Sequence, residues 1–165
     1  MSDELSRAPL SGADWFAVEY DPATDEVVML DQRLLPGELL YRRYRKPDEL
    51  AAAIRDMVVR GAPAIGISAA YGLALLARGE QGDAKMFLVA NGVAGRALNA
   101  TRPTAVNLAW AIARMSRKAG EVAELHPDER FEAMLREAEA IHLEDVAACK
   151  RMGELGAQDV PAGAT

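Results

Sequence analysis

The sequence predicts an α+β domain, a three-stranded antiparallel meander packed on a bundle of helices. Three observations carry this reading. The first third alternates short β-branched and aromatic runs with turn residues. From Pro47 onward the apolar period changes from two to about 3.6. The chain has 165 residues, 50% hydrophobic and 27% charged, which suits one folded core rather than disorder.

The first strand is expected over Trp15–Tyr20, after which Asp21-Pro22-Ala23-Thr24-Asp25 supplies turn chemistry. Glu26 to Leu30 reads as the return strand, because Val27-Val28-Met29-Leu30 is a short apolar run. Leu34-Leu35-Pro36-Gly37 makes a second turn, and Glu38 to Arg45 alternates as a third strand. Such a ribbon is too small to stand alone and must pack on the rest of the chain. Leu50, Ile54, Met57 and Val58 then share one face of a helix that Gly61 and Pro63 end. A helix over Pro63–Arg78 is apolar on every side and is expected to be central. The uncharged run from Gly61 to Ala77 is at the short limit of the ~17–25 residues that cross a bilayer. Its Gly, Ala, Pro63 and Ser68, with no aromatic belt, favour a buried helix over a membrane span.

A weaker helix over Asp83–Asn99 presents Met86, Ala90, Val93 and Ala97. Another, opened by Pro103 and ending near Gly120, presents Val106, Trp110, Ala113 and Arg117. The last starts at Pro127, with Asp128 and Glu129 suited to the helix dipole. It presents Phe131, Leu135, Ala138, Ile141, Val146, Cys149 and Met152 until Gly153 and Gly156 break it. The organisation is therefore a flexible N-terminus over 1–14, an α+β domain over 15–157 and a linker over 158–165.

Charge and cysteine content narrow the function. With 19 basic against 25 acidic residues the net charge is −6, so neither nucleic acid nor an anionic membrane is an expected partner. One cysteine and two histidines argue against a disulfide framework or a zinc site and fit a cytoplasmic protein. No apolar signal core follows the first residues.

Two segments share a layout that suits an anion. In Arg60-Gly61-Ala62-Pro63 and in Arg102-Pro103-Thr104, an arginine stands just ahead of a proline that opens a largely apolar helix. A helix N-terminus offers unpaired N–H groups and about half a positive charge. A guanidinium beside it adds a fork of donors matched to phosphate oxygens, and Gly61 lets a ligand approach the backbone. If the two mouths converge, a phosphorylated small molecule is the natural ligand. The alternative, solvated arginines at two ordinary helix starts, stays open on spacing alone. Elsewhere Cys149 reads as a packed residue on the last helix's apolar stripe. His126 reads as an exposed helix-start residue, and His142 as structural or solvated rather than a general base. Asp31 reads as structural, orienting Arg33 or capping a turn. The acids of the last helix read as a hydrated face. No paired nucleophile and base stands out, so no catalytic residue is assigned.

The same segments carry a family resemblance. Asp31-Gln32-Arg33-Leu34-Leu35-Pro36, Met57 through Gly66 and Thr101 through Trp110 closely resemble the methylthioribose-1-phosphate isomerases. These belong to an initiation-factor-2B-like superfamily with ribose-1,5-bisphosphate isomerases and regulatory translation-initiation subunits. The resemblance runs from about Trp15 to the last residue. It implies an aldose–ketose isomerisation of methionine salvage, with no metal or cofactor and with a homodimeric enzyme. It also implies that Arg60, Gly61, Ala62 and Arg102 contact the substrate. The family's Thr-His-Cys-Asn segment and its later catalytic aspartate, in a Rossmann-like second domain, are not in this sequence. The resemblance thus implies an N-terminal portion that holds phosphate but is inactive alone. The alternatives it leaves are a non-catalytic regulatory or oligomerisation module and a ribose-1,5-bisphosphate isomerase.

Overall fold

The computed structural model describes residues 5–161. Strands β1 (Val18–Asp21), β2 (Glu26–Leu30) and β3 (Tyr41–Tyr44) form an antiparallel sheet in the order β1-β2-β3. The register pairs Val18 with Met29, Tyr20 with Val27, and Val27 with Tyr44. Five helices complete the domain: α1 (Pro47–Arg55), α2 (Ala62–Gly79), α3 (Ala84–Thr101), α4 (Val106–Val122) and α5 (Pro127–Ala157). The meander on a helical bundle is as expected, and β2 has the expected limits. β1 and β3 are shorter at their N-terminal ends than the apolar runs suggested.

Helix α2 is the axis of the domain. It touches the other four helices and strands β1 and β2, and from Ile65 to Leu75 its residues are buried. Among the described residues it is the one helix long and apolar enough to cross a membrane, but most of it is enclosed by protein. The sheet's inner face, Val18, Tyr20, Val27 and Met29, joins the same core. There Tyr20 stacks on Tyr71 of α2.

Local chemistry explains the helix ends. The Glu49 carboxylate accepts from the N–H groups of Arg45 and Lys46 ahead of Pro47, a capping arrangement that starts α1. The helix stops in a Schellman motif, with Met57 N–H on the Ile54 carbonyl and Val58 N–H on the Ala53 carbonyl. Met57 takes the left-handed position at φ 58°. That turn swings it out to 46% exposure instead of the core position its spacing predicted, whereas Val58 is buried as expected. Asp83 caps α3 through the Met86 N–H, and the His126 ring accepts from Asp128 N–H at the start of α5.

Several expected faces are corrected. In α3 the inward residues are Phe87, Asn91, Gly95 and Leu98, while Met86 and Val93 face solvent. In α4 they are Leu108, Ala111, Met115 and Ala119, while Val106 and Trp110 are outside. These helices approach closely at Gly95, where an added methyl group would sit 3.2 Å from Ile112. Apolar bulk therefore pointed to the wrong stripe. In α5 Phe131, Ala138 and Ile141 are buried as expected, with Met134 and His142 beside them. The helix continues through Gly153 and Gly156 to Ala157, its residues exposed from Ala147 onward, so Cys149 is an exposed residue and not a packed one. Residues 5–14 are tied to the domain at three points. Ser6 bonds Asp21, Arg7 pairs with Glu139, and Leu10 N–H donates to Glu19. Residues 1–4 of the expected N-terminal segment and 162–165 of the expected linker lie outside the described residues.

Candidate functional site

The first turns of α2 and α4 meet. Gly66 packs so closely on the Asn107 backbone that a Cβ there would lie 2.9 Å from the Asn107 carbonyl oxygen. Any larger residue would push the two helix mouths apart. The cleft beside this contact, about 390 Å³, is lined by Pro63, Gly66 and Ile67 of α2 with Val106, Asn107 and Trp110 of α4. Ile141, Glu144 and Asp145 of α5 form its third wall. No side chain caps α2 or α4, so their first-turn N–H groups stay available for an anion or water.

Arg60, Gly61 and Ala62 are exposed at the mouth of α2. Gly61 is the N-cap at φ 96°, a conformation that favours glycine, and nothing lies within 4 Å of the position a Cβ would take. Its peptide therefore borders open space. The Arg60 guanidinium reaches back to the Gln32 carbonyl at 3.4 Å.

Arg102 is placed differently from the expectation. It is the C-cap of α3, its φ of −145° and ψ of 74° lying outside the helical region that a following proline disfavours. Pro103 and Thr104 form a turn closed by Ala105 N–H on the Arg102 carbonyl, and α4 begins only at Val106. Proline therefore does not open α4, and Arg102 sits at the negative end of α3, where a cation is favoured. The cleft lining includes none of Arg60, Gly61, Ala62 or Arg102.

The α5 wall is acidic but partly neutralised. Glu144 is gripped by Arg114 at 2.5 and 2.8 Å, which holds its carboxyl below the usual range. Arg114 also stacks over Trp110 and bonds Glu137. Burial pushes the Asp145 carboxyl up. A phosphate would be repelled by these carboxylates, so the rim at Arg60–Ala62 suits an anion better than the cleft interior.

A second polar cluster was not visible from sequence. His142, expected to be structural or solvated, is buried on α5, its Nδ1 hydrogen-bonded with the Tyr71 hydroxyl at 3.1 Å. Its Nε2 lies 3.8 Å from Glu19, whose side chain is fully buried. Burial lowers His142 to about 4, helped by Arg7. Burial raises Glu19 to about 7, against the lowering by the Leu10 N–H and Arg7. The one available signal was position 142 continuing the buried spacing of 131, 134, 138 and 141.

Comparison with known proteins places this architecture. The model of the initiation factor 2 subunit family matches residues 58–165. The chain belongs to this family. It is 50% identical over 141 residues to a methylthioribose-1-phosphate isomerase of Alcanivorax borkumensis, covering 86% of this chain and 39% of that protein. It is 48% identical over 147 residues to the enzyme of that name from an Anaeromyxobacter species, covering 89% and 40%. The crystal structure of 5-methylthioribose 1-phosphate isomerase from Pyrococcus horikoshii superposes with a TM-score of 0.84 at 41% identity, over 96% of this chain and 44% of that one. The delta subunit of translation initiation factor eIF-2B from A. fulgidus gives 0.79 at 38% identity, over 89% and 42%. The chain thus spans about 40% of the length of the curated relatives it matches.

Proposed function

We propose that this chain supplies the sugar-phosphate grip of an aldose–ketose isomerase of methionine salvage, one that converts 5-methylthioribose 1-phosphate to 5-methylthioribulose 1-phosphate. The observation that carries the reading is the meeting of two uncapped helix mouths at Gly66 and Asn107, in a chain about half identical to proteins of that name. Arg60, Gly61 and Ala62 would hold the phosphate at the α2 rim, and Arg102 would approach it from the α3–α4 turn. The phosphate on the anomeric oxygen blocks the ring opening that simple sugar isomerases use. The site must therefore stabilise charge while hydrogen moves between neighbouring carbons, a task for fixed donors in a dry pocket. No metal or cofactor enters this reading, and no catalytic acid or base is assigned in this chain. The same reading makes the protein a cytoplasmic homodimer, testable by light scattering.

The likeness to the A. fulgidus delta subunit supports a second reading, a regulatory module without catalysis. Calorimetric titration separates the two. Binding of 5-methylthioribose 1-phosphate, in preference to ribose 1,5-bisphosphate, is expected, with no ketose formed by this chain alone. Arg60→Ala and Arg102→Ala should each weaken binding by about 1.5–3 kcal/mol, the scale of a charge-assisted hydrogen bond. Equal affinity in both variants and the parent would remove the isomerase reading of these residues.

A further inference from the structure

One residue separates a buried carboxylate from the Arg60 guanidinium. Asp31 directly follows β2 and its side chain is wholly buried. Its Oδ1 accepts from Arg33 Nε at 2.8 Å, and its Oδ2 from Arg33 Nη2 at 2.7 Å and Arg42 Nε at 2.6 Å. The Arg33 backbone N–H adds a longer contact at 3.3 Å. The Asp31 N–H closes the mouth of the β2–β3 loop on the Leu40 carbonyl. The next residue turns to a different partner. Gln32 N–H donates to the Val58 carbonyl at 2.9 Å, and the Gln32 carbonyl accepts from Arg60 Nη2. Val58 and Arg60 belong to the segment that leads into α2, so the backbone of this one residue is fastened to both ends of the approach to the α2 mouth.

We propose that Asp31 is a positioning residue for the anion site: by drawing Arg33 and Arg42 together it fixes the Gln32 backbone, whose N–H holds Val58 and whose carbonyl aims the Arg60 guanidinium. The inference rests on Arg60 being a phosphate ligand. Two oxygens saturated by two guanidiniums leave the carboxylate no freedom, and charge-assisted bonds of this length are the strong kind. A bidentate arginine also fixes orientation, which a single contact does not. Arg60 has a long, flexible stem and is exposed, so a carbonyl at a fixed place limits where its head spends time.

Nuclear magnetic resonance of the 165-residue chain tests this with inorganic phosphate as the probe, read on the Arg60 Nε–Hε and Gly61 N–H signals. In the parent, phosphate should move both signals, and chloride at equal ionic strength should not. Asp31→Asn should lower phosphate affinity about fivefold and average the Arg60 side-chain signal toward that of free arginine. Asp31→Glu should recover part of both, and the core variant Met134→Ala should change neither. Wild-type phosphate affinity and an unmoved Arg60 signal in Asp31→Asn overturn the proposal. If that variant does not fold, Arg33→Gln and Arg42→Gln take its place, and parent-like behaviour in both overturns it equally. A parent that ignores phosphate, while Arg60 still loses order in Asp31→Asn, removes the phosphate reading and leaves the positioning role standing.

Discussion

Glu19 and Asp31 are both carboxylates with no solvent exposure, one on β1 and the other just past the end of β2, yet their environments push them in opposite directions. Asp31 is clasped by Arg33 and Arg42, chiefly through the Arg33 hydrogen bonds, and its pKa is held far below the usual carboxylate range. Glu19 has one oxygen on the Leu10 N–H and the other without a partner, so desolvation dominates and its pKa rises to about 7. Burial alone therefore does not decide charge; the supply of donors does.

The largest expected effect tests the Glu19 side. In the unfolded chain near pH 5.5 the imidazole carries a proton and the carboxyl does not; in the folded chain the proton is on Glu19 and His142 is neutral. The pair holds one proton in both states, so it contributes little slope to stability against pH. Neither residue is a cause of the other's shift: burial drives both, while Arg7 lowers His142 further and opposes the rise of Glu19. Removing one should then unmask the other. His142, lowered from 6.5 to about 4, gives stability that is present above pH 6.5 and lost as pH falls toward 4. Glu19→Gln should therefore lose stability relative to the parent on acidification from pH 7.5 to 4.5, on the order of 2 kcal/mol. Urea denaturation across that range measures it, and parallel curves for parent and variant would show that the two sites do not compensate.

Asp31 should behave with the other sign. Its depressed pKa gives stability that is present above about pH 4, the unfolded carboxylate value, and lost as pH falls below it. Asp31→Asn should cost about 2 kcal/mol at neutral pH, less than the ~3–5 of a fully buried broken pair, because both arginines keep contact with water. The loss should shrink below pH 4, where the carboxylate of the unfolded parent takes up a proton that the folded one still refuses. A deficit that persists undiminished at pH 2.5 would mean that shape, not charge, holds the loop.

These two carboxylates also show what the sequence could tell. Asp31 stood two residues before Arg33, and its orienting role was readable from that spacing; its second partner, Arg42, lies across the strand pairing and needed the fold. Glu19 and His142 are far apart in the chain, and nothing local joins them. Strand β2 and helix α2 were legible because unbroken apolar runs ended at turn residues. The faces of α3 and α4 were not, since α3 meets α4 at Gly95 and buries the polar Asn91 while Val93, Val106 and Trp110 remain outside. Arg60 and Gly61 could be read as the start of a helix. The close contact of Gly66 with Asn107, which brings the two mouths together, could not.

The smallest expected effect sits beside the Asp31 network. Met57 occupies the left-handed position of the α1 terminus at φ 58°, one residue before Val58, whose carbonyl receives the Gln32 N–H. A side chain in that conformation costs roughly 1–2 kcal/mol through the clash of Cβ with the following carbonyl. Glycine removes the clash but loses about 0.5–1 kcal/mol to the greater freedom of the unfolded chain. Met57 is half out of the core, so little packing is forfeited. Met57→Gly should consequently stabilise the domain by about 0.5 kcal/mol, seen as a higher urea midpoint with an unchanged slope. It should also leave the Arg60 signals in place, because the Val58–Gln32 hydrogen bond does not depend on the methionine side chain. A lower midpoint would show that the Met57 side chain packs more productively than its exposure suggests, and that the approach to α2 is braced from this side as well as by Asp31.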